Sequence, residues 1–400
     1  MKYMGSKRAL LRNGLGSLLL SDASGASRFV DLFAGTGVVS AHVARQCAIP
    51  VLAVDLQQYS AALSGAVLLR TRPVDPTRLR IDWLDRAARA TRRSHKARRG
   101  AEDWTVASAR HIEAARIVCS EPSHVGPIWN AYGGHYYSPL QALTFDYMLK
   151  FLPTEPASRA LCMAATLQAA SRCAASPGHT AQPFQPTANA LPSIRDAWTR
   201  DPIQIAAEAL GDVAKLFALR KGRTLVANAN TVAAKLRPTD LVFLDPPYSA
   251  AQYSRFYHVL ETMAVGRCGV VSGAGRYPPI EERPLSDYSL KSGALSAVRD
   301  LLERIASSGS RAIMTFPQHP SSNGLSGEEI LRIARSRFSV DVHQVASRFS
   351  TMGGNGALRA SRHRSSELIL AMSPKRSVAL AFAPARRSSH ADAATRRARG

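Results

Sequence analysis

Arg28-Phe29-Val30-Asp31-Leu32-Phe33-Ala34-Gly35-Thr36-Gly37 runs from a short β-rich segment into a glycine turn, and a helical pattern with Val39, Val43 and Ala44 follows it. Pro50-Val51-Leu52-Ala53-Val54-Asp55 comes next, at the distance a βαβ unit requires. Its apolar residues are continuous rather than alternating, which predicts a strand covered on both faces and therefore a parallel sheet. After a long interval the sheet resumes with Thr224–Ala227, Leu241–Leu244, Arg311–Phe316, Ser339–Val342 and Glu367–Ala371, with helices at 294–306 and 326–337 between them. The fold class expected is α/β.

The interval reads as an insertion. Residues 57–222 are helical in pattern, rich in Ala and Arg and punctuated by Pro, and are expected to form a mainly helical inserted domain; 1–56 and 223–372 would form the sheet domain. Within the insertion, Tyr132-Gly133-Gly134-His135-Tyr136-Tyr137 leads into a helix with Ser138 as N-cap and Pro139 at its first position. That aromatic cluster either contacts a ligand or anchors the insertion to the core.

The charge is strongly unbalanced. The chain has 52 basic and 29 acidic side chains, a net +23, which suits a polyanion such as nucleic acid or an anionic membrane surface. Residues 86–99 and the tail 373–400 together carry more than half of that excess. If 86–99 is one helix, Arg86, Arg89, Arg93 and Lys96 share a face, and with alanines as its only apolar residues it has nothing to bury. It would then be exposed, either merely solvated or laid along phosphates; the tail is expected to be disordered. The five cysteines are an odd set without a close pair, which disfavours a disulfide framework or a thiolate zinc site and fits a reducing cytoplasm. No apolar run approaches the ~20 residues that span a bilayer, and the start of the chain lacks a secretory signal.

Two motifs carry chemistry. Phe33-x-Gly35-x-Gly37 sits at the carboxyl end of a parallel strand, where open α/β sheets bind ligands, but it lacks the third glycine of the dinucleotide fingerprint. Asp55, ending the next strand, is placed to accept two ribose hydroxyls, and Asp31 to hold an ammonium group. A ligand with a ribose and an ammonium but no pyrophosphate describes S-adenosylmethionine. A turn of this kind also occurs in sheets that bind nothing. The second motif, Asp245-Pro246-Pro247-Tyr248, directly follows the strand Leu241–Leu244. Two prolines cannot continue a central strand, so the chain leaves the sheet with a stiffened backbone. Asp245 and the Pro246 carbonyl become two fixed acceptors, and Tyr248 offers a flat ring. Such a pair can grip both hydrogens of an exocyclic amine on a nucleobase and favour a more tetrahedral, more nucleophilic nitrogen.

The order Lys2-Tyr3-Met4-Gly5-Ser6-Lys7, Asp31–Gly37, Asp55, an insertion and Asp245–Tyr248 resembles the DNA adenine methylase family, in which the cofactor motif precedes the catalytic one. The resemblance covers the sheet domain. It implies a Rossmann-like methyltransferase sheet, mostly parallel with an antiparallel strand near the C-terminus and helices on both faces. It further implies that Tyr3 and Lys7 fold over the cofactor, that Asp55 binds it, and that Asp245 lies near both cofactor and target amine while Tyr248 stacks on the base. Phe316-Pro317, Asn323–Ser326 and Glu367–Leu370 resemble the family's closing strands. One position departs: where the family has an acid contacting the cofactor adenine, this chain has Asn230, with Asn228 nearby as another contact.

What the resemblance implies about function is methyl transfer to adenine N6 in double-stranded DNA, on a base everted into a pocket. The segment after the catalytic turn, with Tyr253 and Arg255, would form a wall of the target cleft, and Phe256 and Tyr257 would pack. The insertion would read the sequence, and Arg86, Arg89, Arg93 and Lys96 would touch phosphates. Alternatives share the mechanism with cytosine N4 or an RNA adenine as target, or keep only DNA binding. A cognate restriction endonuclease is a further partner to consider; no metal site is expected.

Overall fold

The computed structural model describes residues 7–99, 103–122, 124–348 and 364–375. After helical turns within residues 8–23, the chain forms β1 (Arg28–Asp31), α1 (Val38–Gln46), β2 (Val51–Asp55) and α2 (Gln58–Leu68). The helical region includes α3 (Arg86–Arg93), α4 (His95–Arg99), α5 (Pro139–Lys150), α6 (Pro156–Cys173) and α7 (Pro202–Ala214). Then come β3 (Arg223–Val226), β4 (Asp240–Leu244), α8 (Tyr253–Val265), α9 (Ala294–Ser308), β5 (Arg311–Pro317), α10 (Gly327–Arg337), β6 (Phe338–Arg348) and β7 (Arg364–Pro374).

The strand order is β3-β2-β1-β4-β5-β7-β6, and only β7 runs antiparallel to its neighbours. This is the Rossmann-like sheet expected, with its antiparallel strand near the C-terminus. The apolar runs are continuous because alternate residues face two different cores. Phe29, Val51, Ala53, Leu241, Phe243 and Ile313 pack against α1 and the helical turns near the start of the chain. Val30, Val54, Val242, Leu244, Ala312 and Met314 pack against α9 and α10. Full burial of a Leu, Val or Phe side chain stabilises by about 1.5–3 kcal/mol, and β4 is buried at every position. That burial explains its central place. β3 is an edge strand, with Leu225 and Val226 about two-fifths exposed.

The boundary of the insertion shifts. Residues 58–68, expected within it, form α2, which crosses over the sheet between β2 and β3: Leu68 joins the core around Val51, and the Leu68 carbonyl accepts from Gly222 N–H at 2.8 Å. The added helices then pack on α2 and α8, since Tyr59, Ala66, Tyr257 and Leu260 share one core with Phe145, Leu161, Leu167 and Leu210. Ser138 caps α5 in a reciprocal box with Gln141, and Pro139 takes the first position. The aromatic cluster before α5 is an anchor. Tyr132, Tyr136 and Tyr137 are fully buried, and their hydroxyls bond Thr262, the Thr180 and Gly275 carbonyls, and the Ala170 carbonyl respectively. Among the described residues no helix is long and apolar enough to cross a membrane.

Candidate active site

The strand order decides where a site can form. From β1 the chain winds outward to β2 and β3, then returns to place β4 on the other side of β1, so β1 and β4 are neighbours across a topological switch point. Crevices for ligands open at such points, outside the carboxyl ends of the strands. Here that edge carries the glycine turn after β1 and Asp245-Pro246-Pro247-Tyr248 after β4. Both motifs line one cavity of about 1050 Å³, including its open mouth.

On the glycine side, Gly37 has φ 72° and caps α1, and a Cβ there would lie 2.5 Å from Ser64 Oγ of α2. Only glycine meets both conditions. Asp55 accepts from Gly35 N–H at 2.8 Å through Oδ2 and from Gln57 N–H at 3.0 Å through Oδ1, which fixes its carboxylate in the cavity wall. Burial raises its pKa. Asp31 is 1% exposed and accepts from Ser40 Oγ at 2.7 Å. Burial outweighs that bond and pushes its carboxyl up to about 7. Phe33 meets Tyr288 edge to face at 5.0 Å between ring centroids, and both line the cavity. Gln57, also in the wall, has its Nε2 buried with no partner among the described residues.

Asn230 faces elsewhere. Its Nδ2 donates to Asp300 at 2.7 Å and to the Ala297 carbonyl at 3.0 Å, and its Oδ1 accepts from Tyr288 hydroxyl, which turns the side chain onto α9. Asn228, which caps the short helix Ala229–Ala233, lines the cavity in its place.

On the other side, each oxygen of the catalytic turn is either pinned or open. Lys7 Nζ lies 2.9 Å from Asp245 Oδ1, and Thr315 Oγ1 donates to the same Oδ1 at 3.0 Å. Asn323, buried, donates to the Pro247 carbonyl at 3.0 Å and to the Tyr288 carbonyl at 2.9 Å. Among the described residues nothing donates to Asp245 Oδ2 or to the Pro246 carbonyl. The two acceptors left open are thus one carboxylate oxygen and one peptide oxygen on adjacent residues, both belonging to cavity-lining residues. Tyr248 lines the same cavity, its ring edge-on to Phe316 at 6.4 Å; burial raises its phenol to about 12, so it stays neutral.

Lys7, expected over the cofactor, lines the same cavity and is held there by carboxylates: Asp245, and Glu367 of β7 at 2.7 Å. Burial alone would lower its pKa, but Asp245 and Glu367 outweigh burial and raise it well above the ordinary lysine range. Glu367, Gln57, Tyr288 and Thr315 went unrecognised in the sequence as site residues, and only Glu367 lies in a segment that the resemblance had marked. Tyr3 lies outside the described residues.

The segment after the turn divides. Tyr253 lines the cavity, and burial raises its phenol well above the ordinary tyrosine range. Arg255 does not line the cavity; it is exposed, with its guanidinium 5.0 Å from the centroid of Tyr277. Tyr257 is buried in the core and Phe256 packs against it. The basic stretch is not one helix. It breaks at Ser94, where ψ is 132°, into α3 and α4, and α3 does bury a face through Ala87 and Thr91. Small side chains one turn apart let a neighbouring helix approach closely, which an apolar count overlooks. Arg89 and Arg93 are exposed; Arg86 stacks on Phe151 at 4.2 Å, and Lys96 lies over Trp129 at 4.7 Å and donates to the Pro122 carbonyl at 2.8 Å.

The fold is thus a doubly wound sheet whose switch point holds one cavity lined by both the glycine turn and the Asp245–Tyr248 turn. Over residues 3–94 and 136–274 the chain matches the family described as D12 class N6 adenine-specific DNA methyltransferase, and it belongs to that family. It is also 30% identical over 122 residues to the modification methylase StsI of Streptococcus sanguinis, covering 30% of this chain but only 18% of that protein's length.

Proposed function

We propose that this protein transfers a methyl group from S-adenosylmethionine to N6 of an adenine everted from double-stranded DNA. The observation that carries this reading is the pair of acceptors uncommitted among the described residues, Asp245 Oδ2 and the Pro246 carbonyl, beside acceptors that Lys7, Thr315 and Asn323 already hold. When bound, S-adenosylmethionine supplies an electrophilic methyl group on a sulfonium sulfur. The cavity's chemistry fits it: Asp31 would neutralise the ammonium, Asp55 would accept the ribose hydroxyls, and the orphaned Gln57 Nε2 would meet a ligand acceptor. Phe33 and Tyr288 would wall the adenine, the Gly35 and Gly37 turn would lie against the ligand, and Asn228 rather than Asn230 would face it.

On the base side, Tyr248 would stack on the everted ring, with Tyr253 beside it. Asp245 Oδ2 and the Pro246 carbonyl would each accept one N6 hydrogen, which draws the lone pair out of conjugation. The alkylated nitrogen is strongly acidic, and Asp245 is placed to take its proton. We assign sequence reading to the added helices of residues 69–222 and phosphate contacts to Arg89 and Arg93. The likeness to a modification methylase supports a role beside a cognate restriction endonuclease. Incubating the protein with tritiated S-adenosylmethionine and plasmid DNA, followed by nucleoside mass analysis, tests the reading. N6-methyladenine is expected; N4-methylcytosine, or label in RNA alone, would overturn the target assignment.

A further inference from the structure

We propose that Arg255 and Arg283, both stacked on Tyr277, form a clamp for the DNA backbone phosphates beside the everted nucleotide; this rests on the reading that DNA is the substrate. The guanidinium carbons lie 5.0 Å and 5.5 Å from the centroid of the Tyr277 ring, and Arg255 Nη2 donates to the Tyr277 hydroxyl at 3.5 Å. Among the described residues neither arginine makes an ion pair, and Arg283 Nε is buried with no partner. These are two cations set over one aromatic ring, neither of them in an ion pair among the described residues, although Glu261, Glu281 and Glu282 line a pocket with Arg283. A planar guanidinium placed over an aromatic ring loses less freedom on binding, and its fork matches two phosphate oxygens.

The place is specific. Ser254 and Pro284, the chain neighbours of Arg255 and Arg283, both line the catalytic cavity, so each arginine of the clamp follows or precedes a residue of its wall. When a base enters such a pocket its sugar and flanking phosphates stay at the rim, which brings phosphate to this position.

Tyr277 is itself fixed. It exchanges two backbone hydrogen bonds with Ser272, of 2.9 and 2.8 Å. The Gly275 carbonyl accepts from Tyr136 hydroxyl at 2.9 Å and lies 2.9 Å from His258 Nε2. Arg276, at φ 51°, donates to the Ala131 and Asn130 carbonyls. A non-glycine residue at positive φ is strained, and bonds to the added helices hold it there. The field here is positive: burial first, then Arg283 and Arg255, lower the His258 pKa to about 4. Glu281 and Glu282 share the loop, but Glu282 spends an oxygen on Gly269 N–H at 2.9 Å, and neither acid pairs with the clamp.

The test is a salt titration of duplex binding by the full chain. Each phosphate contact contributes about 0.9 to the slope of log affinity against log salt, so Arg255→Ala with Arg283→Ala should make the slope shallower by about 1–2. Affinity for S-adenosylmethionine should be unchanged in that variant, and Arg255→Lys with Arg283→Lys should keep the wild-type slope. Tyr277→Leu should weaken binding while leaving the slope intact. An unaltered slope in a double-alanine variant that still binds cofactor overturns the clamp, as does a slope change seen on RNA and not on DNA. Should that variant lose cofactor binding, Arg255→Gln with Arg283→Gln decides by the same slope. Failure of the wild type to bind or label DNA sinks the underlying reading instead, and shows before any variant is made.

Discussion

At the scale of single residues, the triad of buried Glu367 and Lys7 with half-buried Asp245 does two jobs: it neutralises Lys7, and it fixes Oδ1 of Asp245, leaving Oδ2 open among the described residues. Asp245→Asn replaces a charged acceptor with an amide and should lower kcat by about 10²–10³, the range for losing one oriented hydrogen bond in a transition state, with cofactor affinity retained. Rapid-quench turnover on a saturating duplex checks this; wild-type kcat would remove Asp245 from the chemistry. Lys7→Met leaves Glu367 buried and Asp245 half-buried without their cation and should cost up to about 3–5 kcal/mol of stability. Glu367→Gln leaves the Lys7 and Asp245 pair intact and should cost less, an order that denaturant midpoints can verify. Asp31 predicts a pH effect. Its carboxyl, raised by burial to about 7, is mostly protonated at pH 6 and mostly ionised at pH 8. Ionised Asp31 is the form that holds an ammonium, so cofactor affinity should rise roughly tenfold from pH 6 to pH 8 and level off above. For the empty protein the sign is opposite: this group's contribution to stability is complete below about pH 4 and is lost as pH rises through 7. Calorimetric titration across that range should show the affinity trend, and Asp31→Asn should flatten it.

At the scale of elements, the turn between β1 and α1 is set by what approaches it. Gly37 combines φ 72° with Ser64 Cα of α2 at 3.0 Å from any Cβ, whereas Gly266, at φ 78°, has open space around it. Gly266→Ala should therefore cost only the left-handed conformation, about 1–2 kcal/mol. Gly37→Ala should cost more and should also weaken cofactor binding, because the turn must move. Equal midpoints for the two variants would show that α2 yields freely. β1 to β5 were legible in the sequence because each contains a short apolar run, whereas only part of the 11-residue β6 and β7 showed; Asp31, Asp55 and Asp245 were legible because each ends or directly follows a strand. What stayed hidden depends on partners distant in the chain. Nothing near Asn230 announces that Tyr288 and Asp300 will claim its side chain, and nothing near Lys7 announces Glu367. Ser94 is a weak breaker, so the end of α3 is set by packing of Ala87 and Thr91 rather than by local propensity.

At the scale of the whole molecule, the added helices and the sheet are one packed body on one side, because α2 and α8 contribute Tyr59, Ala66, Tyr257 and Leu260 to the same core as Leu161 and Leu210. The clamp loop ties them again, through the Arg276 bonds to the Ala131 and Asn130 carbonyls. Helices joined this way cannot rotate freely over the cavity; on the proposed reading, the target base would be delivered at a fixed distance from the helices assigned to select it. The chain's four tryptophans, Trp83, Trp104, Trp129 and Trp198, all lie in the helical region, while the cofactor cavity is built by the sheet domain. The two regions therefore report separately, one by fluorescence and the other by cofactor binding. A shared core predicts that tryptophan fluorescence and far-ultraviolet circular dichroism follow one coincident transition in urea, and that S-adenosylmethionine shifts both midpoints upward by the same amount. If the fluorescence transition stays fixed while the other moves with cofactor, the helices fold independently, and rigid delivery of the base must give way to a hinged one.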